Sequence, residues 1–147
     1  MPVTNNLLTL KFYNNVLDRF LLYAIIIAKH DNKWIFCKHK MRKTYEIPGG
    51  KRHNGETILD AAKRELHEET GAIQFSIKPW MPYSVTECGV ESFGMIFFAD
   101  VKKFNSLPNY EMETILLLDT LPDIKDWTYP TLQPEIIKKY ILEMDSY

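Results

Sequence analysis

Cysteine is scarce in this chain: two residues in 147, Cys37 and Cys88, with no short-spaced partner for either. A disulfide-dependent secreted domain of this size usually carries more, so the expectation is two free thiols in a reducing cytoplasm. A long apolar run is missing too. The longest, Phe20 to Ala28, has nine residues between Arg19 and Lys29, against the roughly 20 a membrane helix needs. It begins late and lacks a small-residue cleavage site, which argues against a signal peptide. There is no internal repeat, low-complexity tract or Gly/Ser linker, and the length suits one domain spanning 1–147. Charge of one sign is missing as well. Lysine and arginine total 18, aspartate and glutamate 19, a formal net charge of -1. Such a balance gives no global field for an extended nucleic-acid surface or an anionic membrane.

What is present is an ordinary globular composition, 46% apolar and 25% charged, which excludes disordered, collagen-like and coiled-coil chains. Leu7 to Tyr13 reads as a short first strand. Leu21 to Ala28, with its isoleucines, reads as a buried strand. Asp31-Asn32 signals a turn, with Lys33 to Lys38 as the return strand of a hairpin. Tyr45 to Ile47 reads as a short strand broken by Pro48-Gly49-Gly50. Thr57 to Thr70 has helical periodicity, and Gly71 stands where a helix-ending glycine belongs. Phe75 to Ile77, Tyr83 to Glu87, Phe93 to Val101 and Thr114 to Leu118 read as further strands. Gln133 to Met144 closes the pattern as a helix, with Pro134 tolerated in its first turn. Strands around one central helix and ending in another predict an α/β layered domain.

The central helix carries Glu65, Glu68 and Glu69 at i, i+3 and i+4. At about 100° per residue they fall within an arc of about 100°. An acidic helix face is ordinarily a solvated one. Here the apolar stripe is Ile58, Leu59, Ala62 and Leu66, and Glu65 and Glu69 lie on its border, whereas Asp60, Lys63, Arg64 and His67 point away from the core. Three carboxylates at a core edge repel one another and lose solvation. A divalent cation removes that conflict, and oxygen donors without histidine or cysteine suit Mg²⁺ or Mn²⁺, which in turn suit a phosphorylated ligand.

Extended upstream, the segment reads Gly50, five residues, Glu56, seven residues, Arg64-Glu65-Leu66, one residue, Glu68-Glu69, one residue, Gly71-Ala72. It resembles the Nudix box, residues 50–72 here, with every fixed position matched and only Ala72 smaller than usual. The preceding Tyr45-Glu46-Ile47-Pro48-Gly49-Gly50-Lys51 is similar to the approach to the box in MutT-like members. The resemblance implies a Nudix fold, an α/β/α sandwich with a central mixed β-sheet. It also implies a hydrolase of a nucleoside diphosphate linked to a further group X. By position, it makes Glu65, Glu68 and Glu69 the metal ligands, with the carbonyl of Gly49 beside them. Arg64 would pair with Glu56 and orient Glu65. A distant acid often joins in this family, and Glu111 is the choice here, with Glu113 in reserve. Any of Glu65, Glu68, Glu69 and Glu111 is a candidate for removing the water proton.

Basic residues cluster before the box, and Lys38 and His39, at the end of the hairpin strand, are the best placed to meet substrate phosphates. Glu46 is a further candidate for substrate contact. His30, His53 and His67 have no evident partner and are expected at the surface. The segment Tyr129 to Ile137 resembles the one opening the last helix in MutT-like 8-oxo-dGTP diphosphatases, where an asparagine amide reads the oxidised guanine. Gln133 occupies that position, one methylene longer. The resemblance therefore implies a MutT-like nucleoside triphosphate diphosphatase of nucleotide-pool sanitation, cytoplasmic, monomeric or homodimeric. ADP-ribose, sugar nucleotides, dinucleoside polyphosphates and RNA 5′ ends are the alternative substrates, and a non-catalytic nucleotide-binding module is the alternative from another class. The near-zero net charge is a cancellation: residues 38–52 carry +5 and residues 56–69 carry -3. Adjacent blocks of opposite sign suit a metal-bound diphosphate, with acids for the cation and bases for the phosphates.

Overall fold

The second half of the nine-residue apolar run, Ala24 to Ala28, becomes the middle of a sheet buried on both faces. In the computed structural model, which describes residues 8–107 and 112–144, strand β2 (Leu21–His30) alternates strictly. Ala24, Ile26 and Ala28 join one core with Ala62 and Leu66, and Ile25 and Ile27 join a second with Ile136 and Ile137. From Ala24 to Ala28 every residue is buried, so this part of the strand has no solvent face and needs no polar residues. The helices supplying those partners are α1 (Ile58–Thr70) and α2 (Gln133–Met144), one on each side of the sheet.

The other strands are β1 (Thr9–Phe12), β3 (Lys33–His39), β4 (Tyr45–Glu46), β5 (Gly49–Lys51), β6 (Ala72–Glu87), β7 (Val90–Phe104) and β8 (Met112–Leu118). They form a sheet in the order β1-β6-β7-β2-β3-β4, with β5 on β2 and β8 on β3. Only β2 and β7 are parallel among the described pairs, so the sheet is mixed. This is the expected α/β/α sandwich. Among the described residues no helix is long and apolar enough to cross a membrane. Both cysteines are free, Cys37 buried and Cys88 exposed.

Local chemistry explains the boundaries. Asp31 and Asn32 both have positive φ (48° and 65°), the geometry of the two-residue turn that matches strand twist. Thr57 caps α1, its hydroxyl accepting the N–H of Asp60 at 3.0 Å. Gly71 ends the helix at φ 78° and donates its N–H to the carbonyl of His67 at 2.8 Å.

Three expectations need correction. The two strands expected at 75–77 and 83–87 are one strand, β6, with a register shift between Pro79 and Met81. The prolines are tolerated because β1 pairs only with residues 83–86, leaving Pro79 on an unpaired edge. Gly49-Gly50 does not simply break the chain but forms β5 against β2. A Cβ on Gly49 would come within 2.5 Å of the Ala24 carbonyl oxygen, so the close pairing requires glycine. The histidines are not all unpartnered: His30 and His67 engage the carbonyls of Val101 and Ala72 at 2.8 and 3.0 Å through Nδ1, and His53 lies 3.9 Å from Glu56.

Candidate catalytic site

The acids of α1 meet β5 because both pack against β2. Glu69 is buried at 7% exposure, and its Oε1 accepts the Gly49 N–H at 2.7 Å. Glu65 lies over Gly50 so closely that a Cβ there would collide with its carboxylate. Glycine at position 50 therefore lets a carboxylate rest on the strand backbone. A buried acid accepting a backbone amide, beside a second acid at the same strand, is a concentration of negative charge that needs a counter-charge.

Arg64 supplies part of it. The helical wheel sends this residue outward, but the side chain folds back and is only 20% exposed. Its Nε and Nη2 grip both oxygens of Glu56 at 2.7 and 3.0 Å. Its Nη1 donates to Glu65 at 2.8 Å and to Glu68 at 3.3 Å, and Nη2 also reaches the Lys51 carbonyl at 3.0 Å. A fork of five donors can do this where an ammonium cannot. The Arg64 hydrogen bonds, with the His53 N–H, hold the Glu56 carboxyl down to about 2. The Arg64 guanidinium is in turn pushed up by its bonds to Glu56. Behind the acids, burial and then the nearby Glu69 and Glu46 push the Cys37 thiol up, keeping it neutral.

On the α2 side of β5 lies a cavity of about 510 Å³. Gly49, Gly50 and Lys51 form the wall it shares with the acid edge. One end is closed by Glu46 and Gln133, 9% and 5% exposed. The Gln133 Oε1 accepts the Ile47 N–H at 2.9 Å. An oxygen must face a backbone donor, so the amide orientation is decided and the Nε2 donors are turned elsewhere. Arg42 flanks this end, donating to Glu46 at 3.5 Å and to the Tyr129 hydroxyl at 3.2 Å. The other end reaches Tyr23, Tyr83, Val85 and Val90.

The structure thus brings together Gly49, Glu56, Arg64, Glu65, Glu68 and Glu69, and places Glu46 and Gln133 in the adjoining cavity. It does not bring Lys38 and His39 there. Lys38 is tied to Glu113 at 2.6 Å, and the His39 Nδ1 accepts the Met41 N–H at 3.0 Å. Arg52 is likewise engaged, by Asp18 at 3.1 Å. The basic block is therefore largely spent on ion pairs that staple loops, and Lys51 is the member that lines the cavity. Glu111 lies outside the described residues. Tyr23 and Tyr83 went unread in the sequence, because each sits in a strand that looks like core. Among the described residues no three His, Cys, Asp or Glu side chains already converge as a ligand cluster, since Arg64 and Gly49 N–H engage the acids.

A sequence profile of the NUDIX domain matches residues 21–130. YtkD of Bacillus subtilis (strain 168), whose name provisionally makes it an 8-oxo-dGTP diphosphatase, is 35% identical over 99 residues, which cover 67% of this chain and 62% of that protein. The matched stretch thus spans less than two thirds of this relative. An RNA pyrophosphohydrolase of Francisella tularensis subsp. mediasiatica (strain FSC147) is 26% identical over 114 residues, 72% of this chain and 74% of that protein. The crystal structure of the Bacillus subtilis pyrophosphohydrolase BsRppH superimposes with a TM-score of 0.78 at 26% identity, covering 93% of this chain and 90% of that one.

Proposed function

The chain belongs to the Nudix family, and from that premise we propose that it hydrolyses a guanine nucleoside 5′-triphosphate between the α and β phosphorus atoms, releasing a 5′-monophosphate and pyrophosphate. The observation that carries this reading is the shared wall: Gly49 and Gly50 touch the acids of α1 on one side and line the cavity on the other. A ligand seated in the cavity therefore has its phosphates beside the acid edge.

The donors fit a hard divalent cation, being carboxylates and backbone oxygens alone. Glu65, Glu68, Glu69 and the Gly49 carbonyl would hold Mg²⁺ or Mn²⁺. When bound, such an ion neutralises phosphate charge and lowers the pKa of a bound water. The chain's own contribution is then definite. Arg64 keeps Glu65 and Glu68 oriented while its charge restrains their mutual repulsion. One of the three glutamates takes the proton of the attacking water. Glu46 offers a carboxylate to the N1 and N2 donors of guanine, and the Gln133 Nε2 donates to O6, the complementary edge. In this reading residues 1–147 act as one catalytic domain.

A second reading keeps the bond cleaved and changes the carrier to a triphosphorylated RNA 5′ end. The RNA pyrophosphohydrolase relative and the BsRppH superposition favour it. A non-catalytic binding module is disfavoured, since it has no use for three acids at the edge of a core. Pyrophosphate release from GTP, dGTP, 8-oxo-dGTP, ATP and triphosphorylated RNA, with Mg²⁺, Mn²⁺ or EDTA, is the test. Metal-dependent release favouring guanine supports the proposal. Preference for ADP-ribose, a sugar nucleotide or a dinucleoside polyphosphate overturns it.

A further inference from the structure

The cavity end closed by Glu46 and Gln133 is strapped together from two distant parts of the chain. The Thr128 N–H donates to the Tyr45 carbonyl at 2.8 Å, and the Thr44 and Thr128 hydroxyls lie 2.7 Å apart. These contacts fix the segment before α2 against β4. A further strap fixes side chains. Arg42 Nη1 stands 3.2 Å from the Tyr129 hydroxyl and 3.5 Å from Glu46 Oε1. Its Cζ lies 5.7 Å from the centre of the Tyr129 ring, within reach of a cation–π attraction. The turn that presents Arg42 is itself held: the Arg42 N–H donates to the His39 carbonyl at 3.1 Å, and the Met41 N–H to His39 Nδ1 at 3.0 Å.

A guanidinium in this place acts on two groups at once. Glu46 is buried, and a buried carboxylate keeps its charge where a cation stands beside it. Arg42 sits against Oε1, which sets the plane in which this acid can accept donors. Gln133 is reached through the backbone. The Tyr129 carbonyl accepts the N–H groups of Leu132 at 3.2 Å and Gln133 at 3.1 Å. The residue that Arg42 holds by its hydroxyl therefore also begins the turn that places Gln133. A planar fork can span a carboxylate and a phenol at a set spacing, whereas an ammonium is a point charge. The Arg42 side chain is 44% exposed, so its loss leaves the core closed.

We propose that Arg42 is a positioning residue for base selection. It works through Glu46 on one side and through the Tyr129 turn on the other, and it holds the two reading groups at the spacing that a guanine edge needs. It touches no reacting atom, so it governs which base is accepted and not how fast the bound triphosphate is cleaved. This inference rests on the reading of Glu46 and Gln133 as base contacts.

The test measures kcat and KM for GTP and ATP in the full chain, with melting temperatures beside them. Arg42→Ala should raise KM for GTP about tenfold, the size expected for a lost hydrogen bond to a charged group, while kcat for GTP and both constants for ATP stay near those of the wild type. Arg42→Lys should recover part of the loss only, because it restores the charge without the fork. Tyr129→Phe deletes one end of the strap, so adding it to Arg42→Ala should cost nothing more. A GTP preference that survives Arg42→Ala overturns the proposal alone, as do equal falls in kcat for both nucleotides, full recovery with lysine, or additive losses in the double variant. Equal wild-type constants for GTP and ATP would overturn the base reading, and the proposal with it.

Discussion

The two sides of β5 are built over very different distances along the chain. On the α1 side the hydrogen bonds are short-range: Arg64 to Glu56 spans eight residues, and Gly49 to Glu69 spans 20. On the cavity side they are long-range: Ile47 to Gln133 spans 86 residues, and Arg42 to Tyr129 spans 87. The charge-handling unit is thus one contiguous segment that travels whole. The ligand-shaping unit is assembled by the fold from strands and a helix far apart in sequence. A contiguous unit can be kept while a dispersed one is rebuilt, and the chain's relatives carry names as different as 8-oxo-dGTP diphosphatase and RNA pyrophosphohydrolase.

The contrast breaks first at the acids. Glu69→Gln should lower turnover by about 10²–10⁴-fold, the range for losing a placed acid-base group, while circular dichroism stays that of the wild type. Wild-type turnover in this variant would remove the metal assignment. Gly50→Ala should come next, at about 10²-fold, because a methyl group pushes the Glu65 carboxylate off the strand and misplacement near 1 Å has that cost. Its kcat should fall with the affinity for product little changed, and equal losses in both would show that Gly50 shapes the cavity instead.

On the cavity side the effect should be smaller and selective. Gln133→Ala leaves the buried Ile47 N–H without its acceptor, a loss of about 1–3 kcal/mol, measurable by thermal denaturation. The ratio of kcat/KM for GTP over ATP should drop about tenfold, the scale of one mislaid polar contact. A ratio that survives would place the base elsewhere. The smallest effect is a pH dependence. The Glu56 carboxyl is held near 2 in the fold against an ordinary value of 4.5. A depressed acid stabilises the fold above its unfolded value, and that stability is lost as pH falls from 4.5 through 2. Melting temperatures of the wild type and Glu56→Gln should therefore differ at pH 6 and converge by pH 2. Parallel curves would show that Arg64 gains nothing from this partner.

Much of the acid edge was legible before folding. The spacing of Glu65, Glu68 and Glu69 against Leu66 and Ala62 already set carboxylates at a core border, and Gly71 already ended the helix. Arg64 was harder, because a wheel assigns the direction of a Cβ, and a long side chain can turn back on itself. Lys38 and His39 were hard to place for a different reason. Position at a strand end says nothing about which opposing charge will claim a side chain, and Glu113, 75 residues away, claims Lys38. Tyr83 was invisible: its strand reads as core, and only a glycine on the neighbouring strand leaves room for its ring at the cavity wall.

By itself, then, the sequence determined an α/β layered domain, the acid helix and the glycine that ends it. All of these depend on periodicity and contacts within one segment. Tertiary structure alone decided what the cavity is. Strand register set Lys51, Tyr23, Gly94 and Tyr83 in one row, and the packing of α2 brought Gln133 to the amide of Ile47. The physical reason is separation. A local pattern constrains neighbours a turn apart, whereas a pocket wall depends on which strand lies beside which, and that is settled only when the whole core closes.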